Sequence, residues 1–318
     1  MICLVGKSRF FSKFLAFIFH ANMNSPDIYI IIPVHNRKEF TQACLSSLRK
    51  QSYKKFRIVL IDDGSTDGTE EMIKKEFPEV IVLQGDGNLW WTGAINLGLL
   101  YVLKEAREND CILTLNNDLV VCENYLEALI MEHNKNSNAL IGSLNIDIKD
   151  KKTIYDGGAN INFWTAKYFH FNKGITMTHV VPINQRNISV LSGRGTLIPV
   201  NVFRKIGLYN HKKFPHYAAD YEFSIRAKKH GYNLMVSYNA ILFSHVKETG
   251  IGENNKRNFL KYFFDIKSPG NIFIRITFAT SIIKNPILLF CYLVFDFIRT
   301  GGHYLRHTIW RSSIPTKN

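Results

Sequence analysis

The chain has 318 residues, 46% of them hydrophobic, and 40 Lys and Arg against 26 Asp and Glu give a formal net charge of +14. That is enough for one large domain or two modest ones with a real core, and too apolar for a disordered chain. Five scattered cysteines (Cys3, Cys44, Cys111, Cys122, Cys291) form no C-x-x-C pair, which excludes a disulfide scaffold and the usual zinc-finger spacings and suits a reducing compartment.

The charge is uneven. Residues 1–22 carry Lys7, Arg9 and Lys13 and no acid, while 254–318 carry ten basic and two acidic residues, net +8. Between them, 23–253 holds 27 basic and 24 acidic residues, net +3. The basic excess lies at the two apolar ends, a pattern that points to an anionic membrane surface and away from nucleic acid. Three parts are expected: an arm at 1–22, a globular domain at 23–253 and a helical tail at 254–318.

In chain order, the arm contains FFSKFLAFIF, too short to span a bilayer. It resembles a signal h-region but lacks a clear cleavage site, and Met23 opens a natural start. The arm is read either as an upstream mis-start or as a short membrane-contacting segment. IYIIIPV (28–34) is a continuous β-branched run, expected of a strand buried on both faces. Residues 38–51 place Phe40, Cys44, Leu45 and Leu48 at helical spacing. FRIVLIDD (56–63) is the next strand, and TDGTEEMIKKEF (66–77) opens a helix with capping residues and first-turn acids. VIVLQ (80–84) is a third strand, 92–108 a helix, and CILTLNND (111–118) a fourth strand. This order predicts an α/β fold, a doubly wound, mainly parallel sheet with flanking helices, whose ligands bind at the carboxyl ends of the strands.

Residues 140–215 are less regular. ADYEFSIRAKKHGY (219–232) reads as a helix closed by Gly231, NLMVSYNAILFSH (233–245) as a strand or strand pair, and 247–258 as a polar loop. The tail, 259–311, is aromatic, basic and helical. Its run PILLFCYLVFDFI has about 12 apolar residues, short of the ~20 that a span needs. A pair of in-plane amphipathic helices, punctuated by Arg275, Lys284, Arg299, Arg306 and Arg311, is expected. The alternative is an ordinary helix pair covering the sheet.

The polar residues at the strand ends carry the chemistry. The first strand ends in PVHNR with no G-x-G-x-x-G, and no G-x-x-x-x-G-K-[ST] occurs, which argues against a dinucleotide-binding dehydrogenase and a P-loop NTPase. Asp62-Asp63-Gly64-Ser65-Thr66-Asp67 ends the second strand. A carboxylate there can accept from a base or a ribose, or merely make a turn. Asn116-Asn117-Asp118 ends the fourth strand and could hold a hard cation carrying a diphosphate, or cap the next element. Asp220 and Glu222, with His216 upstream, offer a general base or first-turn helix acids. His245 ends a strand and could be a metal ligand or structural. Trp90 and Trp91 offer a face for sugar C–H stacking or core packing. Thr92, Gly93 and Asn96 start a helix whose N-terminus suits an anion.

The ordered set IIPVHNR, IDDGSTDGT, GDGNLWWTGAINLGL, LNND, ADYEFSIR and FSH resembles glycosyltransferase family 2, the inverting nucleotide-sugar transferases of GT-A fold. The resemblance covers about 28–250 and extends, in the ADYEF element, to rhamnosyl and galactofuranosyl transferases. It implies that Val34 and His35 hold the nucleobase and that Asp63 hydrogen-bonds it. It places Asn116, Asn117 and Asp118 at the family's D-x-D, with Asp118 as the metal-binding carboxylate, Asn117 on the nucleotide-sugar and His245 as a further metal ligand. Asp220 matches the catalytic base and Glu222 the second acid often found two positions on. LSGRGTLIPVNVFRKIG (191–207), with Arg194, looks like the segment lining the acceptor side. Trp91 is placed with the donor.

Two departures stand out. Asn116 replaces the first acid of D-x-D, and Ala219 stands where the family usually has Glu. The Gln-x-x-Arg-Trp motif of processive synthases is absent, which favours single-residue addition. The expected reaction is an inverting transfer of one sugar, assisted by Mg²⁺ or Mn²⁺. Its acceptor would be a saccharide or lipid-linked saccharide at the cytosolic membrane face, in cell-surface polysaccharide synthesis of the O-antigen kind. Two rivals remain. One is a sugar-nucleotide nucleotidyltransferase, whose Gly-rich first loop PVHNR lacks; the other is a non-catalytic membrane-associated scaffold on the same fold.

Overall fold

Period-2 alternation sorts the apolar side chains of the first strands to both faces of one sheet. In the computed structural model, which describes residues 25–180, 183–245, 258–306 and 308, Tyr29, Ile31, Val59 and Ile61 enter one core. Ile28, Ile30, Ile32, Ile58 and Leu60 enter the other. The readings for the 1–22 arm, for most of the 247–258 loop and for Arg311 lie outside the described residues.

The first half runs β1 (Ile28–Val34), α1 (Lys38–Arg49), β2 (Phe56–Asp62), α2 (Thr69–Glu76), β3 (Ile81–Gln84), α3 (Trp90–Glu105) and β4 (Cys111–Thr114). β1 pairs in parallel with β2 and β4, and β2 with β3, giving the local order β3-β2-β1-β4. The elements fall where the pattern places them, with α3 starting earlier, at Trp90. Gly98 lets α3 sit close on the sheet, since a Cβ there would meet Ile31 Cγ2 at 2.6 Å and Ile61 Cδ1 at 2.8 Å.

The second half runs β5 (Leu119–Val121), α4 (Tyr125–Lys135), β6 (Ala139–Asp147), β7 (Ile154–Asp156), β8 (Ala159–Asn162), β9 (Lys167–His170), β10 (Gln185–Arg186), β11 (Thr196–Pro199), α5 (Val200–Ile206), α6 (Ala219–Lys229) and β12 (Asn233–Ser244). The main sheet reads β10-β12-β6-β11-β4-β1-β2-β3, with β5 on β12 and β7 on β6. β11 runs antiparallel between β4 and β6, so the sheet is mostly parallel but mixed. The hairpin β8–β9 stands apart. β12 is one long strand with an irregularity between Ser237 and Ile241.

Residues 140–215, read as irregular, thus contain two central strands. β6 disguises itself with polar letters that are buried and paired. Ser143 Oγ donates to Gly195 O at 2.6 Å, and Ser244 Oγ donates to Asn145 Oδ1 at 2.7 Å.

The tail forms α7 (Phe259–Phe264), α8 (Ile272–Ile282) and α9 (Pro286–Leu305). Asn258, Asn271 and Asn285 cap the three helices, and Pro286 starts α9, where its missing N–H costs nothing. One face of the α8–α9 pair joins the core through Phe278, Ala279, Ile282, Ile283 and Tyr292. The other face exposes Phe273, Ile287 (67%), Phe290 (69%) and Ile298 (65%). The inner face is thus that of a helix pair covering the core, and the outer face is exposed and apolar. Two of the tail's punctuating cations point inward. Arg275 grips the fully buried Asp296 through two hydrogen bonds, and Arg299 donates to the carbonyls of Thr165 and Ala166. Among the described residues no helix is long and apolar enough to cross a membrane.

The Arg275–Asp296 pair is the testable joint. Asp296→Ala should leave a largely buried cation unpaired and lower stability by ~3–5 kcal/mol in urea denaturation. Arg275→Met combined with Asp296→Leu should restore most of it. A single variant as stable as wild type would show that the pair holds nothing.

Candidate active site

The loops after β1 and β2 are spliced by side chains. His35 Nδ1 donates to Asp63 O at 2.6 Å, and Asn36 N donates to Ser65 Oγ at 2.8 Å. Thr66 N donates to Asn36 Oδ1 at 2.9 Å, and Lys38 N to Asp67 Oδ2 at 2.9 Å. Asp67 also accepts from Thr69 N and Thr69 Oγ1, so one carboxylate serves the first turns of both α1 and α2. Burial opposes its charge, but these bonds outweigh that and hold its carboxyl below the ordinary value. Val34 and His35 line the mouth of a cleft of about 880 Å³.

Asp63 is buried at the bottom of this wall. Its Oδ1 accepts from Gly87 N at 2.9 Å, and its Oδ2 from Leu89 N at 3.0 Å and Trp90 N at 3.2 Å. The start of α3 was expected to hold a substrate anion. Instead the protein's own carboxylate occupies it, and Thr92 N donates to Pro215 O. Asn96 is equally committed, bonding both the N–H and the carbonyl of Tyr209. The physical reason is that a buried Asp and a row of unpaired amides satisfy each other before any ligand arrives. Asp63 still edges the cleft, and a carboxylate oxygen can accept more than one hydrogen bond.

The N-N-D turn divides its labour. Asn116 Oδ1 accepts from Trp91 Nε1 at 2.9 Å, which fixes the indole against the cleft. Asn117 lines the cleft but donates its amide to Thr41 Oγ1 at 3.0 Å, tying the turn to α1. Asp118 has Arg37 Nη1 3.7 Å from Oδ2, while its Oδ1 is buried with no hydrogen-bond partner among the described residues. That orphaned oxygen is suited to a divalent cation. His245 follows Ser244, which pairs with Leu119, so its backbone lies beside Asp118. Its ring, however, packs on Phe40 at 4.7 Å and is not among the cleft-lining residues. The expected metal shell is thus reduced, and no group of three His, Cys, Asp or Glu gathers for a metal among the described residues. One carboxylate with diphosphate oxygens and water is a normal way to hold Mg²⁺ or Mn²⁺.

The opposite wall is built on α6. Asp220, in its first turn, accepts from Gly193 N at 2.8 Å and Tyr221 N at 2.9 Å. Burial pushes its carboxyl above the ordinary value, against the pull of those two amides and of Arg194. Gly193 is obligatory, since a Cβ would meet Trp91 Cζ2 at 2.3 Å. Gly195 has φ +79, and a Cβ there would meet Leu242, Tyr125 and Ser143 within 2.9 Å. Arg194, held between them, lines the cleft beside Tyr155. Glu222, expected on the acceptor side, does not line the cleft. Its carboxylate pairs with Arg226 at 3.0 and 3.1 Å, and Arg226 in turn binds the carbonyls of Ile206 and Leu208. The i,i+4 spacing favours that helix pair, so Glu222 supports α6 and the 206–208 loop.

Both Trp90 and Trp91 line the cleft. Non-glycine residues with left-handed backbone also concentrate here: Asn36 (φ 59), Arg37 (φ 66), Trp90 (φ 55) and Ala218 (φ 70) all border it. Such conformations persist only where surrounding structure enforces them.

Sequence reasoning missed the third wall. Tyr155 and Asp156 come from β7, Tyr168 from β9, Tyr221 from α6, and Lys267, Arg275 and Tyr292 from the tail. Tyr168 Oη and Tyr292 Oη lie 3.2 Å apart, closing the tail onto the β8–β9 hairpin. The only signal for them was the density of Tyr after residue 150, which has no motif spacing.

The family model described as glycosyl transferase family 2 matches residues 29–207. An uncharacterized glycosyltransferase of Rickettsia felis is 27% identical over 197 residues, 59% of this chain and 29% of that protein. The chain therefore spans under a third of that relative's length. GalNAc-T7, solved with UDP, GalNAc and Mn²⁺, superposes with TM-score 0.56 at 14% identity, over 92% of this chain and 58% of the other. The mannosyltransferase PcManGT from Pyrobaculum calidifontis, solved with GDP-Man and Mn²⁺, gives TM-score 0.56 at 14% identity, over 91% and 77%. These two likenesses establish a GT-A fold.

His216 yields a pH prediction. Burial, with the positive charges of Lys267, Arg194 and Arg37 and against Asp265, pushes its ring from 6.5 down to about 4. Between those values the unfolded chain binds a proton that the folded chain refuses, so stability should fall as pH drops through that window. His216→Gln should flatten the fall in denaturation curves taken from pH 7 to pH 4. An unchanged slope would contradict the assignment.

Proposed function

The chain belongs to glycosyltransferase family 2, and on that premise we propose that it transfers one sugar, with inversion, from a nucleotide-diphosphate sugar to a hydroxyl of a saccharide acceptor. One observation carries this reading: Asp220 and the unpartnered oxygen of Asp118 open into one cleft, bounded by the spliced loops of β1 and β2. The raised carboxyl of Asp220 suits a general base, since a carboxylate of higher pKa is the stronger proton acceptor. The Gly193 and Tyr221 amides hold its oxygens so that it takes the acceptor proton from a fixed position. Asp118, assisted by Asn116, would hold a divalent cation, which when bound supplies charge neutralisation for the diphosphate leaving group. The Trp91 indole, fixed by Asn116, offers a flat face to the donor sugar.

The tyrosines of the third wall, Tyr155, Tyr168, Tyr221 and Tyr292, support a saccharide acceptor, because each combines a stacking face with a hydroxyl. The exposed apolar face of α8–α9 and the +8 charge of residues 254–318 support docking on an anionic membrane at its cytosolic face. A lipid-linked acceptor in cell-surface polysaccharide synthesis is consistent with a cleft whose wall is the other side of that helix pair.

Turnover of a sugar-nucleotide panel by the purified chain tests the reaction. Asp220→Asn should lower kcat by about 10²- to 10⁴-fold while the protein stays folded. EDTA should abolish wild-type turnover, and Mn²⁺ or Mg²⁺ should restore it. Near-wild-type turnover by Asp220→Asn removes the assigned base. Membrane docking is tested separately by flotation with phosphatidylglycerol vesicles. Ile287→Glu with Phe290→Glu and Ile298→Glu should leave the floating fraction; flotation equal to wild type would reject this face.

A further inference from the structure

Large exposed apolar side chains are not confined to the tail. Trp164 (58%), Phe169 and Ile175 are exposed as well, within or just after the β8–β9 hairpin. We propose that the tip of this hairpin is a second membrane-contacting element, with Trp164 as its anchor in the headgroup layer of an anionic bilayer. This contact rests on the membrane-docking reading and deepens it, since it extends the surface from the tail to a hairpin of the cleft's third wall.

Trp164 sits between two contacts to α9. On one side of it in the chain, the Phe163 ring lies 6.4 Å from the Tyr292 ring. On the other, Arg299 donates to the carbonyls of Thr165 and Ala166. The exposed indole is thereby held beside the helix that carries Ile287, Phe290 and Ile298. The turn itself is fixed. Asn162 Oδ1 accepts from Trp164 N at 2.9 Å and from Thr165 N at 3.2 Å, and the buried Ala166 has a left-handed φ of 48.

The strand that follows is two-sided. Lys167 and Phe169 alternate with Tyr168 and His170 along β9, and of these four Tyr168 and His170 line the cleft. The other two are exposed together, with Lys167 Nζ 4.8 Å from the Phe169 ring centroid. One strand thus offers tyrosine and histidine to the cleft and an aromatic ring with a cation over it to the outside.

Charge selects the occupant. Residues 157–180 contain Lys167 and Lys173 and no Asp or Glu. In the adjoining tail Asp296 is buried on Arg275 and Asp265 accepts from the Lys267 amide, while Lys284 and Arg306 are exposed. An aromatic surface with a cationic rim is complementary to lipid phosphates. Tryptophan is the side chain that settles at headgroup level, because its ring is apolar and its N–H is polar.

The experiment uses the full chain and vesicles of phosphatidylglycerol with phosphatidylcholine, read by flotation and by quenching of tryptophan emission with brominated phosphatidylcholine. Trp164→Glu should lower vesicle binding about tenfold, as loss of that apolar contact to a negative charge does, and Phe169→Glu should act in the same direction. Trp164→Phe keeps an aromatic ring and should float, yet its bromine-quenched emission should be smaller than that of wild type. Both positions are exposed, so thermal midpoints should stay at the wild-type value. Wild-type binding by Trp164→Glu, or wild-type quenching in Trp164→Phe, overturns the hairpin contact and leaves the tail contact standing. Sedimentation showing that Trp164→Glu breaks a dimer while flotation is unchanged assigns the surface to a second copy and overturns the hairpin contact too. A wild-type chain that does not float overturns both.

Discussion

The structure depends on what happens to a carboxylate at the end of a buried strand. Such a group loses its water, and backbone amides must replace it at roughly 1.5–3 kcal/mol per charged hydrogen bond. Asp63 receives three amides from the β3–α3 loop, and that single residue fixes the start of α3 and the left-handed turn at Trp90. Asp67 receives two amides and a hydroxyl and ties α1 to α2. Without these bonds the loops that face the cleft would have no common frame.

The same accounting separates frame from chemistry. Asp63 and Asp67 are well supplied with donors. Asp220 has two amides, yet burial still keeps its carboxyl raised. Asp118 has one oxygen near Arg37 and one with no partner among the described residues. Both under-supplied carboxylates line the cleft. In the proposed transfer these two accept a proton and hold a cation, whereas the saturated ones hold the walls. In the N-N-D turn the same division appears: Asn116, an uncharged side chain, orients Trp91, and the charge stays on Asp118.

How much of this could be read from the letters follows from the range of each interaction. The β1 to β4 half was legible because apolar periodicity is local and strong, and its motif loops fall at the strand ends. Asp220 and Asp118 were legible as candidates because they stand in ordered motifs. Glu222 was misread because its nearest demand is Arg226 one turn away, a pair that no motif records. His245 lies beside Asp118 in backbone register while its ring packs on Phe40, a direction that no motif records. The α3 N-terminus was misread because its amides are claimed by a residue more than twenty positions earlier. β6 was missed because its buried polar side chains find partners outside the strand, Ser143 with Tyr125 and Gly195 and Asn145 with Ser244.

The tail carries the largest revision. Composition alone separates residues 254–318 from the near-neutral domain, as a basic and apolar appendage. In three dimensions α8 and α9 share a core with α6, and their inner side chains Arg275, Phe278, Tyr292 and Asp296 line the cleft. The exposed Ile287, Phe290 and Ile298 stand on α9, the helix that also sets Tyr292 against Tyr168. The outer surface and the cleft are thus separated by a single layer of helices, and the basic excess of residues 254–318 belongs to a wall of the site.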